Sequence, residues 1–360
     1  MVRDFMWNQI DSVAVTRERV ENWVMQEKHA LYGAAACRIG TGAAVLGLLA
    51  ANFTTRDLWV GQASIWAEPA RAISRFPELA VLKDVSSDIL TIAYVLTMLA
   101  AFAFILGWRT KAANVVTFVG FIAIVGQNPV VGGEGDNLVR LTLLWLLLMR
   151  TAEVWSLDAR RRSKKAGSRA PREDALPRWL ATSLHNLALV ALAVQTILVY
   201  SAAGLDKVAQ TSWQHGTALY YTMQLPEYRP FPWLSDLLSS STFVLAVITY
   251  TVLFVQLFFA PLLLNPSSRR IVLTLAITVN VIFAILFAAP WSSAAVIAVT
   301  CLFASDEAFE RIDEWVRDRF GPVGDWLALR FGGVPDAFDA VLHRTVYPVT
   351  DWIRFTIFRR

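Results

Sequence analysis

The sequence predicts an all-α fold, a polytopic bundle of about eight transmembrane helices with re-entrant or interfacial segments on one side. Composition is the first reason. Of the 360 residues, 56% are hydrophobic and only 17% charged, whereas a soluble domain carries about a quarter charged residues. The second reason is a series of apolar runs, most of them near the roughly 20 residues that a membrane helix needs. The third is where the positive charge sits between those runs. The 14 tryptophans suit the aromatic belts at a membrane interface.

Residues 1–30 are charged and amphipathic ("RERVENWVMQEKHA"). They do not form a basic stub followed by a short apolar core, so a cytoplasmic segment is expected rather than a cleavable signal peptide. Apolar runs follow at 31–52, 88–107, 112–128, 137–154, 183–205, 242–264, 270–289 and 292–305, and define a membrane domain over 31–305. The third, fourth and eighth are short or carry charge. With the N-terminus inside, "WRTKAA", the basic linker at 155–180, "NPSSRR" and the tail lie in the cytoplasm. The opposite side receives 53–87, "NPVVGGEGD", 206–241 and "APWSS". Nearly all lysine and arginine falls on the first set, which is what orients a membrane protein. Both termini are therefore expected in the cytoplasm.

The same reading accounts for the net charge of +4. The basic linker is short and Ser/Gly-rich, and orientation already explains it, so the bilayer is the expected partner and nucleic acid is excluded. The tail, 306–360, places Phe309, Ile312, Trp315, Val316 and Phe320 at helical spacing among charges. That pattern predicts an amphipathic segment along the cytoplasmic leaflet. Cys37 and Cys301 lie in apolar runs without a CxxC or CxxH neighbour. They are expected as buried small residues, with no metal site.

Two outer loops, 53–87 and 206–241, are too long for simple connectors. The second mixes Trp213, Tyr220, Tyr221, Tyr228, Phe231 and Trp233 with prolines. These aromatics either mark the interface or line an apolar cavity for a lipid-like ligand, with Trp213, Tyr220, Tyr221 and Trp233 as candidate binding residues.

Ionisable residues within spans are costly and are candidates for function. Arg38 lies in the first span and is expected to reach back to the inner interface. Asp136 and Arg140 are four apart, so on a helix they share a face and are expected as a structural ion pair. Lys207 ends the fifth span on the side where a positive residue opposes the orientation rule. It either reaches the outer headgroups or is held in an apolar pocket, where a lysine can act as a neutral base.

The stretch "YSAAGLDK", followed by "SWQHGTALYY", resembles the signature of the HTTM (horizontally transferred transmembrane) domain family, related to vitamin K-dependent gamma-carboxylase. "ACRIG", "RDLWVGQ", "GEGDNLVRL" and "AAPWSSAAVIAVTCLF" extend the resemblance over roughly residues 25–305. Within the family the chain looks most like bacterial members of the sporulation-delaying-protein B type, implicated in maturation of a secreted peptide toxin. The resemblance thus implies a multi-pass protein of a bacterial inner membrane. From the carboxylase branch it implies that Lys207 stands where a lysine deprotonates vitamin K hydroquinone. It also implies that two active-site histidines of that branch fall at Asn280 and Asn137. Asparagine donates hydrogen bonds but cannot transfer a proton near neutral pH. Of the four histidines, His29, His185 and His343 are expected at cytoplasmic positions, and His215 is the outer candidate for proton transfer beside Lys207.

Three functions follow as expectations. The protein assists maturation of a secreted peptide on the extracytoplasmic face, together with a small membrane helper protein. Alternatively it is a carboxylase-like membrane enzyme with a quinone or quinol cofactor and Lys207 as base. The third is a structural subunit of a membrane complex.

Overall fold

The computed structural model describes residues 18–73, 81–82, 85–166, 176–315 and 318–319. The expectations for residues 1–17, for 74–80 and 83–84 of the first outer loop, and for 167–175 of the basic linker lie outside the described residues. So do those for the tail at 316–317 and 320–360, which include Val316, Phe320 and His343. The chain divides into two units, Met1–Asp306 and Glu307–Arg360. In the second unit 307–315 and 318–319 are helical.

Among the described residues there is helix, turn and irregular chain but no strand. The main helices of the first unit are α1 (Leu31–Ala51), α2 (Ser87–Leu106), α3 (Thr110–Val125), α4 (Glu134–Leu148), α5 (Arg178–Val208), α6 (Thr242–Leu263), α7 (Pro266–Leu286) and α8 (Pro290–Thr300). Each overlaps one expected apolar run. Five of them, α1, α2, α5, α6 and α7, are long and apolar enough to cross a membrane. The helices α3, α4 and α8 have 16, 15 and 11 residues, short of the roughly 20 that a span needs. These are the three runs that were short or charged in the sequence.

Local chemistry sets the ends. Ser86 and Ser241 cap α2 and α6 by accepting the backbone N–H of Ile89 and Val244, which satisfies a donor that the first turn leaves unpaired. Pro266 and Pro290 open α7 and α8, where the missing N–H costs nothing.

Packing explains how so short a helix as α8 is held. Gly33, Gly40 and Gly47 recur along one face of α1 that lies antiparallel to α8. A Cβ on them would stand 3.1 Å from the Cys301 carbonyl, 2.6 Å from the Ala298 Cβ and 2.1 Å from the Trp291 ring. Small residues let membrane helices approach this closely. One apolar core joins α1 to α4, the first half of α5 and α8, and includes Leu49, Phe104, Phe121 and Leu192. A second joins the end of α5 to α6 and α7, and includes Tyr200, Val252, Phe259 and Ala276. Val296 and Phe303 pack against both, so α8 forms the seam. Outward faces carry exposed apolar side chains such as Ile92, Leu99, Phe102, Leu198, Phe243 and Phe254. Such faces suit solvation by lipid tails. Both cysteines are free, Cys37 buried and Cys301 half-buried.

Antiparallel neighbours gather the connections at two ends. At the basic end, Arg38 is fully buried and donates to the carbonyls of Thr151 at 2.7 Å and Trp155 at 2.5 Å. This corrects the expectation that it reaches back to the interface. The chain after α4 folds over α1 and offers carbonyls that the guanidinium satisfies in place of water. Asp158 accepts from the backbone N–H groups of Arg109 and Thr110 and from the Thr110 hydroxyl, at 3.0, 2.8 and 2.7 Å, and so caps α3. His185 accepts the Arg150 N–H at Nδ1 and donates through Nε2 to the His29 carbonyl. Asn186 takes the His29 N–H and donates to the carbonyls of Trp23, Val24 and Glu27. His29 and His185 therefore hold architecture.

Candidate functional site

The other end is aromatic, and Lys207 stands there. Helix α5 has 31 residues and is about 46 Å long at 1.5 Å per residue, more than a bilayer core requires. Its last turn thus carries Lys207 to the edge of the bundle. Gly204 makes that turn's packing possible: a Cβ there would lie 3.0 Å from the Leu257 nitrogen on α6.

Lys207 is half-buried. Its Nζ donates to the Ala203 carbonyl at 3.3 Å and lies 5.3 Å from the centre of the Trp213 ring. The turn after α5 puts Trp213 there. The chain reverses at Ala209–Gln210 into the short helix Thr211–Gln214, and Gln214 Nε2 fastens it by donating to the Val208 carbonyl at 2.8 Å. Gly216 has φ +71°, and a Cβ on it would stand 3.2 Å from the Tyr250 ring. That left-handed conformation suits glycine, and it sends Leu219 and Met223 into the second core.

The charges acting on the Lys207 ammonium are Glu134, at the start of α4, and Asp206. Asp206 is already engaged, accepting from Gln210 Nε2 at 2.9 Å. Glu134 is exposed, and the sequence reading missed it. The signal was the "GEGD" motif itself, whose acidic partner was sought along the helix rather than across the bundle. An ammonium has three donors. One serves Ala203, the ring face attracts the charge, and the remaining donors point to no protein acceptor among the described residues.

The other candidates sit elsewhere. His215 is exposed, and its backbone N–H donates to the Thr211 carbonyl. Tyr220 and Tyr221 pack edge to face on each other at 5.7 Å and are exposed, as is Trp233. These three form an outward aromatic surface next to Lys207 in sequence, not the wall of a chamber around it; Trp213 alone of the four touches the lysine.

Asp136 and Arg140 do not form the expected direct ion pair. Asp136 turns back to accept the Gly133 N–H at 2.9 Å, which caps α4. Arg140 donates to Asn137 Oδ1 at 2.5 Å. Capping wins because the first turn has unpaired donors within reach, while Arg140 finds a nearer oxygen one turn away. Asp136, Gly133 and Gly135 line a cavity of about 260 Å³ shared with Ala44, Leu48 and Trp291. Glu134 lies on the same turn of α4, and its charge acts on Lys207.

Asn280 lies deeper. Its amide donates to the Ala276 carbonyl of its own helix at 2.9 Å and faces the Tyr200 hydroxyl. Tyr200 is buried, stacked on Phe259 at 4.1 Å, with its hydroxyl 3.2 Å from Thr300 Oγ1. It precedes Lys207 by about two turns on the same face of α5. The buried polar group beside Asn280 is thus a tyrosine that the sequence reading quoted but did not single out.

Over 186 residues the chain is 26% identical to Sporulation-delaying protein SdpB of Bacillus subtilis (strain 168), covering 49% of this chain and 52% of that protein. The chain thus spans about half the length of this curated relative. No solved structure matches it. The HTTM domain model matches residues 34–307, a range that takes in α1 from its second turn, all of α2 to α8, the Lys207 turn and the cavity lined by Asp136. With its apolar, lipid-facing helices, the chain is a multi-pass membrane protein that belongs to the HTTM domain family.

Proposed function

We propose that this membrane protein assists maturation of a secreted peptide, engaging it at the aromatic end, which faces out of the cytoplasm. The observation that carries the reading is the Lys207 amine, held by the Ala203 carbonyl and the Trp213 face with donors to spare. A primary ammonium of this kind takes a carboxylate, from an acidic side chain or a peptide C-terminus. The exposed Tyr220, Tyr221 and Trp233 offer apolar area with few rotatable bonds, the kind of surface that binds extended chains. Glu134 competes for the ammonium until the ligand arrives, so it tunes affinity. The outward orientation rests on the basic connections gathered at the opposite end. The peptide class of substrate rests on the resemblance of "YSAAGLDK" and "SWQHGTALYY" to sporulation-delaying-protein B-type members, implicated in maturation of a secreted peptide toxin.

The residues present do not fit carboxylase-like quinol chemistry. A quinol-dependent mechanism needs proton acceptors around the lysine, and the two implied histidine positions hold Asn280 and Asn137, each bonded elsewhere. His215 shows no side-chain bond to Lys207.

Mass spectrometry of secreted peptides from wild-type, deletion and Lys207→Met strains tests the proposal. One peptide is expected to disappear or change mass in both altered strains, with membrane insertion of the Lys207→Met protein intact. A peptide changed by deletion but untouched by Lys207→Met would remove the lysine from the activity. No change in either strain would sink the maturation reading.

A further inference from the structure

A groove at the basic end is independent of the Lys207 site. It has a volume of about 370 Å³, with a floor of Leu189, Val190 and Ala193 from α5 and Leu302 and Phe303 from the end of α8. Three other groups stand at its mouth: Trp23, Arg269 and Asp306. We propose that this groove is a phospholipid site selective for an amine headgroup of the phosphoethanolamine type, with the phosphate on Arg269, the ammonium on Asp306 and one acyl chain along the floor.

The charges argue for this headgroup. Arg269 is half-buried. Its backbone N–H donates to the Asn265 carbonyl at 2.8 Å, but its guanidinium has no acceptor among the described residues. It stands in the first turn of α7, where the helix dipole disfavours a cation, so an anion beside it offsets a cost the fold otherwise carries. Five guanidinium donors suit a phosphate. Asp306 accepts the Tyr32 N–H at 3.3 Å through one oxygen, and its second oxygen has no donor among the described residues. One cation and one anion on the same groove match a zwitterion that carries N–H donors. A phosphatidylglycerol headgroup would bring a phosphate to Arg269 but only neutral hydroxyls, and no cation, to Asp306. A choline headgroup has the charge but no N–H to donate.

Depth supports the same assignment. Trp23 stacks on His29 at 4.5 Å, and tryptophan marks the headgroup level. Leu189 follows Asn186 by one turn, and Asn186 fastens residues 23–29. The mouth therefore lies at the interface, and the floor runs from it into the depth of the hydrocarbon. The volume suits part of one chain rather than a whole lipid.

The test is native mass spectrometry of the full chain after reconstitution in nanodiscs of equal phosphatidylethanolamine, phosphatidylglycerol and phosphatidylcholine. Wild type is expected to retain phosphatidylethanolamine several-fold above its bulk share. Arg269→Gln should lose retention, and Asp306→Asn should keep a lipid but lose the preference over phosphatidylglycerol. Ala193→Trp fills the floor, leaves both charges in place and should also release the lipid. Retention at bulk proportions in wild type, a preference for phosphatidylglycerol, or equal retention in all variants would each overturn the assignment. Thermal melting of each variant separates lost binding from lost fold.

Discussion

Two regions of the first unit, the loops packed on Arg38 at the basic end and the turn around Lys207 at the aromatic end, use polar residues in opposite ways. At the basic end nearly every buried polar side chain is committed to backbone: Arg38 to two carbonyls, Asp158 to the start of α3, His185 and Asn186 to residues 23–29. At the aromatic end Lys207 has one carbonyl and a ring face, Glu134 and His215 are exposed, and the tyrosines face outward. Polar groups in an apolar setting stay only where they are bonded or used. Around Arg38, Asp158, His185 and Asn186 the basic end is accordingly architecture, whereas the Lys207 turn and the Arg269–Asp306 groove are where a ligand has bonds left to make.

Three substitutions break or sharpen that contrast. The largest expected effect is at Arg38. Arg38→Leu removes the buried donor to the Thr151 and Trp155 carbonyls, a loss of about 2–5 kcal/mol. Thermal unfolding in detergent should show a drop of several degrees or failure to accumulate; a melting curve that superimposes on wild type would show that the 149–156 turn holds itself.

Asn186→Ala comes next, at about 1–3 kcal/mol for a buried amide with several backbone partners. Its more specific sign is faster protease cleavage within residues 18–29, because the tether on Trp23, Val24 and Glu27 is gone. Unchanged cleavage would mean that the Trp23–His29 stack suffices.

The smallest effect belongs to the aromatic end. Arg140→Leu removes a contact to exposed Asn137 and leaves the Asp136 cap intact, so stability should move by less than about 1 kcal/mol. Exchanging Asp136 and Arg140 should do worse than the single change, because it removes the cap. Recovery on exchange would restore the direct ion pair and count against the geometry described here.

Much of the fold was legible. Apolar runs located all eight helices, since a chain in lipid has to satisfy its backbone within each helix. The glycines that seat α8 on α1 were visible as letters, but their partners are some 250 residues away in the chain. At the site, Lys207 could be named because a lone cation after a long apolar run stands out. Glu134 could not, because its relation to Lys207 runs between α4 and α5. Arg38 and the Asp136–Arg140 pair were misread for a shared reason. Spacing along one helix shows which side chains share a face, but not which backbone carbonyls or N–H groups a folded loop will bring closer.

By itself, then, the sequence determined an all-helical membrane protein of the HTTM type, the placement of its basic and aromatic connections, and the position of Lys207. Those properties depend on hydropathy, charge and local spacing, which are written along the chain. Only the tertiary structure decided that Arg38 is buried, that Tyr200 faces Asn280, that Glu134 addresses Lys207, and that Arg269 and Asp306 share a groove. Each of these joins residues far apart in sequence, and packing decides which groups come close enough to bond or to act on one another.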